Sequence, residues 1–389
     1  MKLLVRVALT VVLADAPVGA QSTIPSQLSD KEFWQLVTDV SEPGGFFRSD
    51  NFLSNEMGFL YPIAELKRTT RQGGVYLGVG PEQNFTYIAA LQPKMAVLFD
   101  IRRQMMVHHL MYKALFELSA DRGEFLSKLF SRPRPAGIDS MTNPIALFGL
   151  FIDAEPDSAM YRRNRIAIKD HLTKTHGFAI TGEDSASLDY VYGAFYEAGP
   201  LISYSFRPGS GTARFNGERI TLRSASGDVI GATTVNFMRG GMANYAELQS
   251  TTDAAGSALA FLASEQTYRS VKGMHQRNMI VPVVGNFAGP KAIRAIGQYL
   301  RDHNATVTAF YLSNVEQYLF QQGDDWKKWF DNVAALPLDS TSTFIRSGRG
   351  GTSSGVIGLA SMLASMQGQV KLFLDGKILT YFDVINTSR

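Results

Sequence analysis

The sequence of 389 residues contains no cysteine, which excludes disulfide bonds, thiolate metal ligands and a cysteine nucleophile. It has no long basic run, and its 38 Lys and Arg nearly balance its 35 Asp and Glu, so we expect no nucleic-acid partner. No segment reaches the ~20 apolar residues of a membrane span, so we expect no permanent membrane span. With 45% hydrophobic and 19% charged residues, the composition is typical of a folded protein.

The N-terminus has the order of a secretory signal. Two basic residues, Lys2 and Arg6, accompany an apolar stretch over residues 5–14, and Val18-Gly19-Ala20 precede Gln21. A basic start, a short apolar run and small residues before the cleavage point are the parts of a signal peptide. The sequence therefore predicts a signal peptide over 1–20 and a periplasmic or secreted protein. The alternative is an apolar N-terminus that is not removed.

The rest of the chain alternates strands and helices. Residues 73–103 predict a strand, a glycine turn, a helix and a second strand, and continuous apolar runs predict further strands at 279–287 and 306–314. Such alternation favours a doubly wound α/β fold with a mostly parallel sheet. Asn216-Gly217 and Ser226-Gly227-Asp228 predict a hairpin inside 203–235, and Asp375-Gly376 predicts a C-terminal β-hairpin.

We divide the chain on this basis into five segments. The N-terminal cap contains predicted helices over 30–40 and 55–68, and the insertion mixes helices with the β-hairpin. The segments are the signal peptide (1–20), the N-terminal helical cap (21–72), the first half of a Rossmann-like domain (73–131), the insertion (132–260) and the second half of that domain (261–389).

The glycine turn is the first candidate for a small-molecule site. In a doubly wound sheet, ligands bind beyond the carboxyl ends of the strands, where Gly78 and Gly80 would let the backbone approach a ligand. Asp100, twenty residues after Gly80, would lie where a carboxylate can bind a ribose diol. NAD is disfavoured, because Gln83 stands where the dinucleotide motif has its third glycine. The alternative is a turn that only packs a helix on the sheet.

These elements resemble the Rossmann-like fold of class I S-adenosylmethionine-dependent methyltransferases. In that superfamily the first glycine turn wraps the methionine part of the cofactor, and an acid ending the second strand binds the ribose. The resemblance implies S-adenosylmethionine as cofactor, with Gly78 and Gly80 matching the turn and Asp100 matching the ribose acid. The chain departs from the pattern at Tyr76, where an acid is common, and at Glu82, where a third glycine is common.

The sequence also resembles, over most of its length, a group of uncharacterised bacterial proteins. The shared motifs are "SDNFLSNE", "GGVYLGVGPEQNFTYI", "HLMYKALFELSADR" and "FYLSNVEQYL". This second resemblance supports the fold and implies no particular activity.

Two further groups of polar residues are candidates for the same site. Asp50, Asn51, Asn55 and Glu56 would form a lid over the crevice, or would only cap a helix. Asn286, Asn314 and Glu316 follow predicted strands and would line the pocket, where they could polarise a reacting group. Helix capping is the alternative for Asn314 and Glu316.

The six histidines do not predict a metal site. His108 and His109 are adjacent, so they point about 100° apart on a helix. No histidine pair has the i, i+4 spacing of a helical metal site, and the other four are scattered.

Two functions follow from these observations. One is a methyltransferase with an unidentified acceptor. The protein would position this acceptor towards the methyl group, with the help of a polarising group near Asn286 or Asn314. The other is an exported binding protein, or an enzyme of another class, that keeps the crevice for a different small molecule. The oligomeric state is left open by the sequence.

The signal peptide gives the first testable prediction. We expect the mature protein to begin at Gln21, because the small residues at 18–20 form the cleavage site. Intact-mass measurement of protein recovered from the periplasmic or extracellular fraction checks this. An intact Met1 in cytosolic protein would contradict it.

Overall fold

The computed structural model describes residues 22–204, 206–209, 218–223, 229–235, 243–349 and 359–388. Eight strands fall in this part of the chain. In chain order they are β1 (Val75–Val79), β2 (Met95–Asp100), β3 (Glu218–Arg223), β4 (Val229–Val235), β5 (Ile280–Val284), β6 (Val307–Ser313), β7 (Leu338–Arg349) and β8 (Leu359–Ser365).

Six of these strands form one sheet in the order β5-β2-β1-β6-β7-β8. The first five are parallel, and β8 is antiparallel to β7. Taken in chain order, the six strands follow the 3-2-1-4-5-6 order of a doubly wound sheet. The predicted parallel pairing of the first two strands is confirmed, with Val75 opposite Met95 and Val79 opposite Phe99. The protein is therefore α/β with a mostly parallel sheet.

Fifteen α-helices accompany the described strands, with a π-helical turn over His171–Thr175 and a 3₁₀ turn over Gly199–Leu201. They are α1 (Asp30–Val40), α2 (Ile63–Thr69), α3 (Gln83–Leu91), α4 (Arg103–Glu117), α5 (Arg122–Phe130), α6 (Pro144–Asp153), α7 (Ser158–Asp170), α8 (Gly182–Ala198), α9 (Tyr245–Ser250), α10 (Glu265–Gln276), α11 (Ala292–Asp302), α12 (Val315–Leu319), α13 (Asp325–Ala334), α14 (Met366–Leu374) and α15 (Tyr381–Asn386).

The hydrophobic pattern accounts for the central strands. All residues of β1, β2 and β5 are buried, as expected for parallel strands covered on both faces. Phe85 of α3 packs edge-on against aromatic rings of α4 and against Phe261, with ring centroids between 5.3 and 5.5 Å apart for Tyr112, Phe116 and Phe261. This packing fixes the start of α3 against α4, and α3 begins at the glycine turn.

The predicted C-terminal β-hairpin is wrong. Residues 366–374 form α14, whose N-terminus is capped by the Ser365 hydroxyl, which accepts from the Gly368 amide. Asp375-Gly376 ends this helix instead of turning a hairpin. Gly376 has φ +69, and the Lys377 amide donates to the Leu372 carbonyl at 2.8 Å, which is the C-terminal pattern of a Schellman motif.

Two other predictions are changed in detail. The antiparallel edge of the sheet is made by β7 and β8, earlier in the chain than expected. The second N-terminal helix begins at Ile63 and not at residue 55, and Pro62 directly precedes it, where its missing amide costs no helical hydrogen bond.

The predicted hairpin of the insertion is confirmed as a separate two-stranded antiparallel sheet, in which Glu218 lies opposite Val235. Its proposed turn residues, Asn216-Gly217 and Ser226-Gly227-Asp228, lie outside the described residues, as does the predicted signal peptide. Within the described residues, no helix has both the length and the apolar character needed to cross a membrane.

Candidate functional site

The predicted site residues converge on one edge of the sheet. Asp100 ends β2, and Asn314 directly follows β6, so both lie at the carboxyl ends of strands that flank β1. The chain leaves β1 towards β2 on one side and returns to β6 on the other, which makes this the topological switch point where open α/β sheets bind ligands. Asn286 lies two residues beyond the end of β5, at the same edge.

The glycine turn after β1 is filled by the protein's own Asn84. The Asn84 side-chain amide donates to the carbonyls of Val79 (3.0 Å), Gly80 (3.1 Å) and Pro81 (2.7 Å). A Cβ at Gly78 would lie 1.9 Å from Asn84 Oδ1, so Gly78 makes room for this side chain. Tyr76, one of the departures from the methyltransferase pattern, donates its hydroxyl to the same Oδ1 at 2.9 Å.

Gly80 has a conformational reason to be glycine. Its φ is +75, which side chains rarely adopt, and nothing lies within 4 Å of the position a Cβ would take. Its carbonyl is also bonded by His109 Nε2 at 2.8 Å. The turn is therefore closed by internal hydrogen bonds.

Asp100, the predicted ribose acid, is paired with Arg102. The Arg102 Nε lies 2.9 Å from Asp100 Oδ1 and its Nη2 lies 2.9 Å from Oδ2, a bidentate pair in which both side chains are buried. The Arg102 backbone amide donates to Oδ1 as well, at 2.8 Å. Both oxygens of this carboxylate are thus already hydrogen-bonded.

Arg102 also holds the predicted lid, which we define as residues 49–56. Its Nη1 donates to the Asp50 carbonyl at 2.8 Å and to the Ser49 carbonyl. The Asp50 carboxylate accepts from Gln104 at 3.2 Å and from the Tyr190 hydroxyl at 3.0 Å. The lid is therefore fixed to α4 and α8 at its first two residues.

The middle of the lid differs from its ends. Asn51 adopts φ +49, and its Oδ1 is buried without a hydrogen-bond partner among the described residues. Asn55 is half-buried. Neither residue acts as a helix cap, because α2 does not begin until Ile63.

Glu56 ends the lid and lies at the switch point. Its side chain is fully buried, and its carboxylate accepts from the Ser313 hydroxyl, the Ser347 hydroxyl and Gln83 Nε2, the last at 3.2 Å. These donors come from the ends of β6 and β7 and from the first residue of α3. All three are neutral, and no Lys, Arg or His of the described chain pairs with Glu56.

The three candidate catalytic residues have structural partners. Glu316 is buried, accepts from Trp329 Nε1 at 3.0 Å and forms a bidentate ion pair with Arg346. Asn286 Oδ1 accepts from the Ala288 amide at 2.9 Å, which is a local turn bond. Asn314 Oδ1 lies 3.5 Å from the Ser313 hydroxyl, so Asn314 directly adjoins the Glu56 cluster.

Sequence reasoning missed the residues that fill the edge. Gln83 and Asn84 stand in the motif "GPEQN", three and four residues after Gly80. Carboxamide side chains at these positions could have indicated that the protein itself fills the turn. Arg102 lies two residues after Asp100, and Ser347 in β7 carried no signal at all. Glu42 was also missed, and its carboxylate accepts from the backbone amides of Asn286, Lys291 and Ala292.

Glu82 is a buried acid on the other side of the turn. Its side chain is almost fully enclosed, and its Oε2 has no hydrogen-bond partner among the described residues. Burial raises the pKa of Glu82 to about 8, and its charge would add to the cost of ionising the nearby Tyr112 and Tyr245 hydroxyls. Burial also lowers the pKa of neighbouring His109 to about 4. At neutral pH, Glu82 is therefore mostly a neutral acid.

We predict that Gly78→Ala destabilises the protein by roughly 1–3 kcal/mol, because the new methyl group displaces the Asn84 side chain and removes its hydrogen bonds to three buried carbonyls. Urea unfolding followed by circular dichroism measures the change. Gly182→Ala is the matched control, since nothing lies near its Cβ position, and we expect it to be within about 1 kcal/mol of wild type. Equal stability of the Gly78→Ala variant and wild type would contradict the filled turn.

We predict that Glu82 makes stability fall as pH rises. The folded protein retains a proton up to pH about 8 that the unfolded chain releases near 4.5, so the free energy of unfolding decreases between these values. The loss is on the order of 4 kcal/mol by pH 8.5. Glu82→Gln should remove this contribution, as measured by urea unfolding at pH 5.5, 7 and 8.5. The same pH slope in both proteins would show that Glu82 is not held neutral.

Comparison with known proteins places the chain in a family. A search of curated proteins finds no match. A family model described as "Domain of unknown function (DUF7790)" matches residues 52–139 and 231–366. The matched stretches contain all six strands of the main sheet and most of the lid, whereas α6, α7, α8 and β3 lie between them. Because the match covers more than half of the 389 residues, the chain belongs to the DUF7790 family.

Proposed function

We propose that the protein binds a small organic cation in the crevice at the carboxyl ends of β1, β6 and β7, beneath the lid. The observation that carries the proposal is Glu56, a fully buried carboxylate at the switch point with only neutral hydrogen-bond donors around it. Glu56 would supply the counter-charge for an amine or another cationic group of the ligand.

The charge of the ligand follows from the cost of burial. A carboxylate removed from water loses several kcal/mol of solvation unless a cation or strong hydrogen bonds replace it. Two hydroxyls and one amide offset part of this cost, whereas Glu316 and Asp100 nearby each have an arginine. A cationic ligand would give Glu56 the partner that the other two buried acids already have.

The contacts of the glycine turn argue against S-adenosylmethionine as the ligand. Asn84 fills the turn that would wrap the methionine part, and Arg102 occupies the acid that would bind the ribose. Both would have to move for the cofactor to bind as in the methyltransferases. These contacts favour a methyltransferase-like fold whose crevice serves another molecule, and with the predicted signal peptide they favour an exported binding protein.

A methyltransferase is the second candidate function. The strand order of the sheet and the acid at the end of β2 support membership of the class I methyltransferase-like superfamily. In that case Gly78, Gly80 and Asp100 would hold S-adenosylmethionine after rearrangement of Asn84 and Arg102, and Asn314 would be the polar group nearest the acceptor. S-adenosylmethionine is itself a cation, so the experiment must separate the two functions.

Calorimetric titration with a panel of small cations tests the proposal. The panel contains putrescine, arginine, lysine, choline, S-adenosylmethionine and the uncharged-sulfur analogue S-adenosylhomocysteine. We expect at least one amine to bind wild type, and Glu56→Gln to weaken that binding by roughly 10- to 100-fold, because a hydrogen bond to a charged group contributes about 1.5–3 kcal/mol. Glu183→Gln, an exposed change of the same kind, should bind as wild type does.

Two kinds of outcome would contradict the proposal. The first is binding of an amine with equal affinity to wild type and to a folded Glu56→Gln variant, or no binding by any amine of the panel. The second is binding of both S-adenosylmethionine and S-adenosylhomocysteine that Asp100→Ala abolishes, which would favour the methyltransferase instead. Circular dichroism of each variant verifies that it is folded.

A further inference from the structure

A cluster of metal-ligand side chains lies away from the crevice. Glu117 ends α4, and His171 and His176 begin and follow the π-helical turn. His171 Nε2 lies 2.7 Å from Glu117 Oε2, and His176 Nε2 lies 2.6 Å from the same oxygen. The three candidate ligand atoms all lie within 4.8 Å of one another. Three nitrogen and oxygen atoms thus converge on one point.

The π-helical turn is what brings the histidines together. The His176 amide donates to the His171 carbonyl, five residues earlier, at 3.1 Å. In an α-helix, residues five apart point about 140° away from each other. The wider turn brings the two rings together edge to face, with centroids 4.8 Å apart and ring planes at 83°. π-turns of this kind occur frequently at functional sites.

Two of the three side chains have a second partner that orients them. His176 Nδ1 lies 2.7 Å from Asp30 Oδ1, which leaves Nε2 as the nitrogen that faces Glu117. Glu117 Oε1 accepts from Lys113 at 2.6 Å, which leaves Oε2 facing the histidines. Metal-binding histidines and carboxylates usually have such outer partners, which fix the ring tautomer and the carboxylate orientation.

We propose that Glu117, His171 and His176 bind a divalent transition-metal ion, with Zn²⁺ the best match. Two histidines and one carboxylate are a common zinc ligand set, and a water molecule completes the tetrahedron. With bonds of about 2.0–2.1 Å, tetrahedral ligands lie about 3.3 Å apart. The two hydrogen-bonded pairs would therefore open by less than about 1 Å around the ion.

Charge and access agree with a cation. With neutral histidines, Asp30 and Glu117 contribute two negative charges, and the Lys113 ammonium offsets one. Lys113 lies on the far oxygen of Glu117, where Asn278 and the His275 carbonyl also hold it. The Glu117, His171 and His176 side chains are 8%, 17% and 11% exposed, so the cluster lies close to the surface.

The metal site is distinct from the crevice. Helix α4 begins at the carboxyl edge of the sheet and ends at Glu117, fifteen residues or about 20 Å away. Asn278, just before β5, donates to Asp30 Oδ1 at 2.9 Å, so the cluster lies where the strands begin. An ion here would join α1, α4 and the π-helical turn.

The test is metal binding by the purified full chain. After removal of metals with a chelator, equilibrium dialysis against micromolar Zn²⁺ and elemental analysis should give about one bound ion per chain. Co²⁺ should give the visible absorption bands of a four-coordinate nitrogen and oxygen site. Asp30→Ala should weaken Zn²⁺ binding by roughly 10- to 100-fold, since the loss of an outer partner has this effect.

Matched variants separate this site from incidental binding. His171→Ala and Glu117→Gln should each lose the bound ion. His303→Ala should retain it, because the His303 ring bonds the Tyr299 carbonyl of its own helix and lies outside the cluster. Less than about 0.2 Zn²⁺ per folded wild-type chain would overturn the proposal, as would equal binding by wild type and a folded His171→Ala variant. If those variants do not fold, an unchanged affinity in Asp30→Ala, or a Co²⁺ spectrum of six-coordinate form, would overturn it instead.

Discussion

One buried carboxamide determines how the carboxyl edge of this sheet is used. The turn after β1 exposes three successive carbonyls to the interior, and an unpaired buried carbonyl costs about 1–3 kcal/mol. Asn84 donates to all three from the first turn of α3, and His109 bonds the Gly80 carbonyl as well. Its Oδ1 then requires Gly78 and accepts from Tyr76. The hydrogen bonds of the turn are thus made within the protein, and the ligand site that we propose uses other residues.

The lid supplies those residues. Arg102 joins Asp100 to the carbonyls of the first lid residues. Glu56, the last residue of the lid, accepts hydrogen bonds from the ends of β6 and β7. The two contacts differ in kind. The Arg102 contact with the lid consists of hydrogen bonds from a charged guanidinium to two backbone carbonyls. The Glu56 contact rests on neutral donors, which is why the proposed cation is placed at that end of the lid.

The sequence predicts the sheet well and the contacts at its edge poorly. Continuous apolar runs such as those of β1, β2 and β5 have few alternatives, because their residues must be buried on both faces. A dipeptide such as Asp375-Gly376 is ambiguous, since a positive φ serves equally in a hairpin turn and at the end of a helix. The positions of Asp100 and Asn314 could be predicted because both residues lie at strand ends. The salt bridge between Asp100 and Arg102 could not be predicted, because it depends on the direction of the side chains.

The histidines show the same limit more sharply. A spacing of five residues excludes a shared face on an α-helix, so His171 and His176 carried no metal signal while a regular helix was assumed. A single π-helical turn reverses that conclusion, and such turns have no reliable local sequence pattern.

Helix α4 connects the lid to the histidine cluster. Glu117 lies at the end of α4 that is far from the lid, so the position of this one helix affects both groups of residues. Arg103 at its first residue is held by Asp184 of α8, and Glu117 at its last is held by the histidines that precede α8. The segment from the π-helical turn through α8 therefore contacts α4 at both ends, and a shift of α4 along its axis would disturb the lid and the histidine cluster at once.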